Sequence, residues 1–233
     1  MLANRQHRLA RFTTEGTFVG EQIIDHEPVQ LEIMEDGKVL TFDNAYGDNL
    51  FMVIDVEGTV VHGMGIVRNA VEDLWAGWLL RSMGFVDYYD GHIYYTGYSE
   101  SLIKKYALDG TLVFSVATID NHPSKINYTE TVGESSEIIG YASTALYASL
   151  NIAVYGRYCL IRPAIDADHV VLRYLDIYDN ATGEYIRSYR VARPPIDFAF
   201  DDEHLFMLQA DRNPETGESD RYIKIYDNVL RDG

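Results

Sequence analysis

The sequence predicts an all-β fold, and within that class a β-propeller built from four-stranded antiparallel blades. Short runs rich in Val, Ile, Leu, Phe and Tyr are separated by acidic residue–glycine pairs, which tolerate the positive φ that tight hairpin turns demand. A strand, turn, strand, loop, strand, turn, strand unit then recurs roughly every 40–50 residues, which is the period of a propeller blade. An all-β sandwich with irregular hairpins is the alternative. The acidic–glycine pairs are Glu15-Gly16, Asp36-Gly37, Glu57-Gly58, Asp90-Gly91, Asp109-Gly110 and Asp232-Gly233.

Five blades can be assigned in order along the chain. The plainest has strands at 29–34, 38–42, 49–55 and 59–62, and the next blade repeats the pattern. In the fourth blade the first turn, at Tyr155-Gly156, is degenerate. The first blade lacks its opening strand and the last lacks its closing strand. The sequence therefore predicts a single propeller domain over 1–233, with blades at about 1–20, 29–63, 84–117, 148–191 and 196–233.

Residues 2–19 carry a recognisable blade motif, Leu-Ala-Asn-Arg-Gln-His-Arg-Leu-Ala-Arg-Phe-Thr-Thr-Glu-Gly-Thr-Phe-Val. Through Asn4, Arg8, Phe12, Gly16 and Phe18 this segment resembles the NHL-type blade, and more widely the TolB-like six-bladed propellers. The outer-strand segment Tyr-Ala-Leu-Asp-Gly-Thr-Leu-Val at 106–113 fits the same pattern. The resemblance covers most of the chain as a repeat rhythm, and it departs from the NHL pattern in the blade at 148–191.

The resemblance implies six blades, so the chain is expected to be a fragment of a longer propeller, truncated inside a blade at both ends. A five-bladed ring closed by pairing of the terminal strands is the alternative. Resemblance to envelope-associated bacterial propellers also implies a periplasmic or secreted location, although residues 1–12 contain no signal-peptide pattern.

Charge and composition exclude several classes of function. The chain has 36 acidic against 19 basic residues and a formal net charge of −17, which argues against binding of a nucleic-acid backbone. No apolar run approaches the roughly 18 residues of a membrane span, so membrane insertion is not expected. Cys159 is the single cysteine, which excludes an internal disulfide and a cysteine-cluster metal site. It lies in a β run and is expected to be a buried apolar residue.

Two of the predicted connections between blades place Asp, His and Pro after an outer strand. One contains Asp25 and His26 and the other contains Asp120 and His122, whereas Arg193 precedes the proline of a third. Side chains from different blades could converge on the channel as a metal site or an acid–base pair. The alternative is that the proline directs the chain into the inner strand while the polar residues cap turns in solvent.

Aromatic residues outside the strands are the other candidate ligand contacts. Residues 66–83 break the β rhythm and show a helical apolar period, so they predict a short helix that carries Trp75 and Trp78. This helix could be an aromatic lid, or it could pack on the sheet ends. Tyr46 and Tyr98 lie in loops between second and third strands. Residues 124–147 form the longest insertion, predicted as an unstructured loop.

Two functions remain open. The sequence contains no Gly-x-Ser-x-Gly, GxxxxGK or GxGxxG motif. It therefore favours a non-catalytic binding or scaffolding propeller that engages a small-molecule ligand or a protein partner at the channel mouth, with no cofactor. The alternative is a hydrolase or lyase that uses a divalent metal, Ca²⁺ or Zn²⁺, in the channel. The candidate metal ligands are Asp25, His26, Asp120 and His122.

Overall fold

The computed structural model describes residues 2–4, 8–24, 28–42, 49–66, 84–98, 100–120, 126–131, 137–141, 149–163, 173–212, 216–217, 219–227 and 230. These residues form twenty strands in six antiparallel sheets, and none of them is helical. No described segment is therefore a helix capable of spanning a bilayer. The predicted all-β propeller of four-stranded antiparallel sheets is confirmed.

Five of the six sheets have three or four strands and are numbered here in chain order. Sheet 1 contains β1 (Leu2–Asn4), β2 (Arg8–Phe12) and β3 (Phe18–Ile23); sheet 2 contains β4 (Gln30–Ile33), β5 (Val39–Phe42), β6 (Asn49–Ile54) and β7 (Val60–Ile66); sheet 3 contains β8 (Gly84–Tyr89), β9 (His92–Gly97), β10 (Leu102–Ala107) and β11 (Leu112–Ala117). After a hairpin of β12 (Ile126–Thr131) and β13 (Glu137–Tyr141), sheet 4 contains β14 (Ser149–Tyr155), β15 (Tyr158–Pro163), β16 (Tyr174–Asp179) and β17 (Tyr185–Arg190), and sheet 5 contains β18 (Asp197–Phe200), β19 (His204–Arg212) and β20 (Ser219–Asp227).

Five of the six acidic–glycine pairs lie in described turns, and each of their glycines has the positive φ that the sequence predicts; the sixth pair, Asp232-Gly233, lies outside the described residues. Asp90 and Gly91 both have positive φ, 48° and 70°, which suits the twist of a two-residue hairpin between β8 and β9. The degenerate turn is equally tight, because Gly156 has a φ of 56° and Tyr155 pairs with Tyr158. The turn at Gly16 corresponds to those at Gly58, Gly110 and Gly183, which join third and fourth strands. Sheet 1 therefore contains a second, third and fourth strand, and sheet 5 contains a first, second and third strand.

Consecutive sheets pack face to face, and each of the four described interfaces has its own hydrophobic cluster. Leu9 of sheet 1 packs with Ile54 of sheet 2. Phe51 of sheet 2 and Val86 of sheet 3 belong to the second cluster. The third and fourth clusters join sheet 3 to sheet 4 and sheet 4 to sheet 5. Because side chains alternate along a strand, each of sheets 2, 3 and 4 packs one face against the preceding sheet and the other face against the following sheet.

Two sequence-based assignments require correction. The insertion at 124–147 was expected to be unstructured, but 126–131 and 137–141 pair as a hairpin. These segments contain β-branched and aromatic residues, such as Ile126, Tyr128 and Ile139, which favour strands. Ile66, the first residue of the predicted helix, ends β7 instead, because it pairs with Asn49. The rest of that helix, residues 67–83, lies outside the described residues.

The turn at Gly183 is a test of how tightly sheets 3 and 4 pack. A Cβ at Gly183 would lie 2.7 Å from a methyl carbon of Val116 in β11, whereas a Cβ at Gly91 would meet nothing within 4 Å. Both glycines have positive φ, which costs an L-residue about 1–2 kcal/mol. We expect Gly183→Ala to lower the free energy of unfolding by about 1 kcal/mol more than Gly91→Ala, measured by urea denaturation. Equal losses would mean that Val116 moves aside freely.

Candidate functional site

The first strands of sheets 2 to 5, namely β4, β8, β14 and β18, lie side by side as the inner strands of the propeller. Each of them follows a connection from the preceding sheet and ends in a tight turn. The described strand ends that these connections join therefore lie at one end of the inner strands, together with the ends of the second strands. This end is called the mouth below, and the opposite end is called the turn end. Residues on loops at one end of a rigid scaffold are well placed for binding.

Polar side chains join the inner strands to one another. The side-chain amide of Gln30 in β4 bonds to the backbone of Val86 in β8, accepting from its N–H at 3.0 Å and donating to its carbonyl. The carboxylate of Asp87 in β8 accepts a hydrogen bond from the N–H of Val154 in β14. Neighbouring inner strands belong to separate sheets and do not pair through their backbones, so these side-chain hydrogen bonds link them instead. They hold adjacent inner strands at a defined offset.

The same pattern continues from β14 to β18. The Asn151 side chain donates from Nδ2 to the carboxylate of Asp197. Glu32 in β4 accepts a hydrogen bond from Gln30 Nε2 at 3.0 Å. The five side chains Gln30, Glu32, Asp87, Asn151 and Asp197 are called the channel cluster.

Two carboxyl groups of the channel cluster, those of Asp87 and Glu32, have pKa values raised far above their usual range. Burial, followed by repulsion from Glu32, raises the pKa of Asp87 to about 8, although N–H groups of Val154 and Tyr88 oppose the shift. Burial likewise raises the pKa of Glu32 to about 7, with a smaller contribution from the charge of Asp197. Both groups are therefore partly protonated near neutral pH, and each can donate or accept a hydrogen bond. Shifted carboxyls in a cleft are functional-site candidates on physical grounds.

Three other polar groups at or beside the mouth are buried but incompletely paired. They are Thr118 Oγ1, Arg162 Nε and Gln209 Oε1, none of which has a hydrogen-bond partner within the described part of the chain. Arg162 Nη1 approaches the carbonyl of Ile196 at 3.5 Å, and burial lowers the pKa of its guanidinium. Gln209 Nε2 donates to the carbonyl of Arg193 at 3.2 Å. Both side chains therefore contact the connection between sheets 4 and 5.

Three of the candidates predicted from sequence lie in described segments at the mouth. Tyr98 packs its ring against Phe85, with centroids 5.8 Å apart, and is close enough to Arg162 to affect its electrostatics. Arg193 forms an ion pair with Asp211. Asp120 follows Ile119, whose N–H donates to Tyr178 Oη at 3.0 Å, and its charge helps to raise the pKa of Asp176. These three residues therefore belong to different parts of the mouth.

The other candidates, Asp25, His26, Tyr46, Trp75, Trp78 and His122, lie outside the described residues. Most of the proposed metal-ligand set is therefore outside them too. Within the described segments, no three His, Cys, Asp or Glu side chains are grouped closely enough to hold a metal ion.

Sequence reasoning missed the channel cluster, although a signal was present. Glu32 and Asp87 each interrupt an otherwise apolar or aromatic first strand, as Leu31-Glu32-Ile33 and Val86-Asp87-Tyr88. An acidic residue that recurs near the end of consecutive first strands, where apolar packing residues are expected, is a signal for a polar contact between neighbouring sheets. Cys159 behaves as expected, since it is buried and burial raises the pKa of its thiol.

No model of a known protein family matches this chain. A comparison with curated proteins also gave no match.

Solved structures share the fold. The Pan2 WD40 domain of Neurospora crassa is similar with a TM-score of 0.51 and 11% identity, over 96% of this chain and 57% of that one. A protein of unknown function from Bacteroides caccae is similar with a TM-score of 0.52 and 12% identity, over 95% of this chain and 72% of that one. Hydrazine synthase of Kuenenia stuttgartiensis is similar with a TM-score of 0.54 and 12% identity, over 96% of this chain and 58% of that one. The chain thus spans less than two thirds of two of these structures. At such identities the likeness shows the propeller fold alone.

Proposed function

We propose that this protein is a non-catalytic binding or scaffolding propeller that engages a small-molecule ligand or a protein partner at the mouth. A propeller offers a rigid wall of inner strands and a set of loops at one end, and this layout suits recognition. The fold alone does not decide between binding and catalysis, so the proposal depends on how the polar groups at the mouth are satisfied.

The observation that carries the proposal is that two incompletely paired polar side chains at the mouth, Arg162 and Gln209, both contact the connection between sheets 4 and 5. The other buried polar atoms without a partner among the described residues include Arg11 Nε and Gln22 Oε1 of sheet 1, which lie apart from this connection. At the mouth, Arg162 and Gln209 each leave a buried polar atom without a partner among the described residues. An unsatisfied buried polar group costs about 1–3 kcal/mol, and a ligand that pairs with it recovers that cost.

The described chemistry gives no comparable support to a nucleophilic enzyme. The Cys159 thiol is 2% exposed, and burial raises its pKa, so it stays protonated at neutral pH. A thiol in that state is a packing group.

Site-specific photo-cross-linking tests the proposal. A photoreactive phenylalanine derivative replaces Tyr98 at the mouth or, as a matched control, Asp109 in an exposed turn at the other end. After irradiation in cells, mass spectrometry should find a discrete adduct on the Tyr98 variant that excess unmodified protein reduces. The Asp109 variant should show none. Adducts that are equal at both positions, or absent from Tyr98, would contradict binding at the mouth.

A further inference from the structure

Arg162 is a cation placed between two blades. It lies near the end of β15 and pairs in register with Asn151 of β14. Leu160, two residues earlier, packs into the interface with sheet 5. Because alternate residues of a strand share a face, the Arg162 side chain points toward sheet 5 as well. Its contact with the Ile196 carbonyl, at the entry to β18, agrees with that direction.

This cation has no anionic partner in the described segments. Three other arginines form ion pairs there, Arg8 with Glu21, Arg157 with Asp179 and Arg193 with Asp211. Arg162 forms none, and the Asp197 carboxylate nearby accepts from Asn151 instead. In a chain of net charge −17, a half-buried guanidinium without a carboxylate is conspicuous, because burying an unpaired charge is costly.

Gln209 lies on the face of sheet 5 that packs against sheet 4. It lies on β19, two residues after Met207, which packs into the same interface between sheets 4 and 5. The side chain is 2% exposed, yet its Oε1 has no partner among the described residues. Its side-chain amide donates to the carbonyl of Arg193, and Arg162 contacts the carbonyl of Ile196, three residues later. Three residues span at most about 11 Å, so the polar ends of both side chains lie along the same short connection.

We propose that Arg162 and Gln209 form a binding site for a carboxylate group that carries a neighbouring N–H, as in an N-acyl amino acid or the C-terminal residue of a peptide. This inference rests on the proposed binding function and specifies its ligand. The carboxylate bonds to the guanidinium through two parallel N–H···O bonds, and Gln209 Oε1 accepts the ligand N–H. The 3.5 Å contact to Ile196 is at the limit of a hydrogen bond, so the guanidinium can rotate toward a ligand with little loss.

Calorimetry and thermal unfolding on the purified full chain test the site with defined probes. These are N-acetylglycine, its amide N-acetylglycinamide, acetate, and triglycine with a free or an amidated C-terminus. We expect N-acetylglycine to bind and to raise the melting temperature, the amides to do neither, and acetate to bind more weakly. Tighter binding of free triglycine than of N-acetylglycine would identify a peptide C-terminus as the natural ligand. The reverse order would identify a small acid.

Variants connect the binding to the two residues. Arg162→Gln and Gln209→Leu should each weaken N-acetylglycine binding by about tenfold or more. Arg157→Gln, which removes the same charge from a turn at the opposite end, should leave binding unchanged. Without ligand, Arg162→Gln should melt at or above the wild-type temperature, because it removes an unpaired charge. If that variant does not fold, Arg162→Lys keeps the charge without the two-bond geometry and should also bind weakly.

Absence of binding by every carboxylate, or equal binding by the wild type and the Arg162 variants, would overturn this proposal. A large loss of melting temperature in ligand-free Arg162→Gln would also do so, since it would show that Arg162 is a structural tie to Ile196. None of these results affects photo-cross-linking at Tyr98, so the failure of this inference can be distinguished from failure of the proposed function.

Discussion

The free energy of unfolding is expected to fall by on the order of 2–4 kcal/mol between pH 6 and pH 9, because two channel carboxyls must lose their protons inside the folded protein. The pKa of Asp87 is raised to about 8 and that of Glu32 to about 7, in both cases chiefly by burial. In the unfolded chain both groups titrate near pH 4. Between the pKa values of the unfolded chain and those of the folded protein, the folded state therefore binds more protons than the unfolded state.

The sign follows from that difference. Stability decreases with pH wherever the folded state binds more protons, so the contribution is fully present below the unfolded pKa and is lost as pH rises through 7 and 8. Urea denaturation at half-unit pH intervals measures the slope. We expect Asp87→Asn to flatten it most and Glu32→Gln to flatten it less.

Asp109→Asn is the matched control for these variants. Asp109 lies in an exposed turn, where the Thr111 N–H holds the pKa of its carboxyl below the usual value. Its substitution should leave the slope between pH 6 and pH 9 unchanged. A wild-type slope of zero, or a slope that survives in the Asp87→Asn, Glu32→Gln double variant, would show that the channel carboxyls are already ionised at neutral pH.

Leu160→Ala is expected to lower the free energy of unfolding by about 3 kcal/mol. Leu160 is 1% exposed and packs between sheets 4 and 5, where truncation leaves a cavity that rigid strands cannot close. Ile225→Ala provides the control, because Ile225 lies on β20 of sheet 5 and is 60% exposed. Its loss should stay below about 1 kcal/mol. Urea denaturation gives both values, and equal losses would indicate that sheets 4 and 5 do not pack as described.

The sequence-based fold prediction succeeds because its signals are local. A glycine two to four residues after the end of a strand, as at Gly16, Gly58 and Gly110, reports the positive φ of the turn itself. Alternation along a strand reports which residues face a neighbouring sheet. The two misassigned stretches had weaker local signals. The sequence between β12 and β13 contains no acidic–glycine pair, and Ile66 fits an apolar strand end as well as a helical period.

The sequence locates part of the mouth. Tyr98, Asp120 and Arg193 follow strands that lead to it, and this placement can be deduced from the repeat, whereas their roles in binding stay predictions. Nothing in the sequence singles out Arg162 and Gln209, because a polar residue near the end of a strand is ordinarily exposed to solvent. That Gln209 is buried depends on sheet 4, which covers it.

The amino-acid sequence by itself thus determined the strands, the turns and their repetition as blades, because those depend on interactions within a few residues. It also determined the strongly acidic character of the chain. The tertiary structure decided which polar groups meet. Asp87 and the Val154 N–H that it accepts from are 67 residues apart, and Gln30 and Val86 are 56 apart. Such pairs form only when separate blades pack face to face. The same packing buries Asp87, which shifts its pKa, and leaves Arg162 Nε without a partner among the described residues.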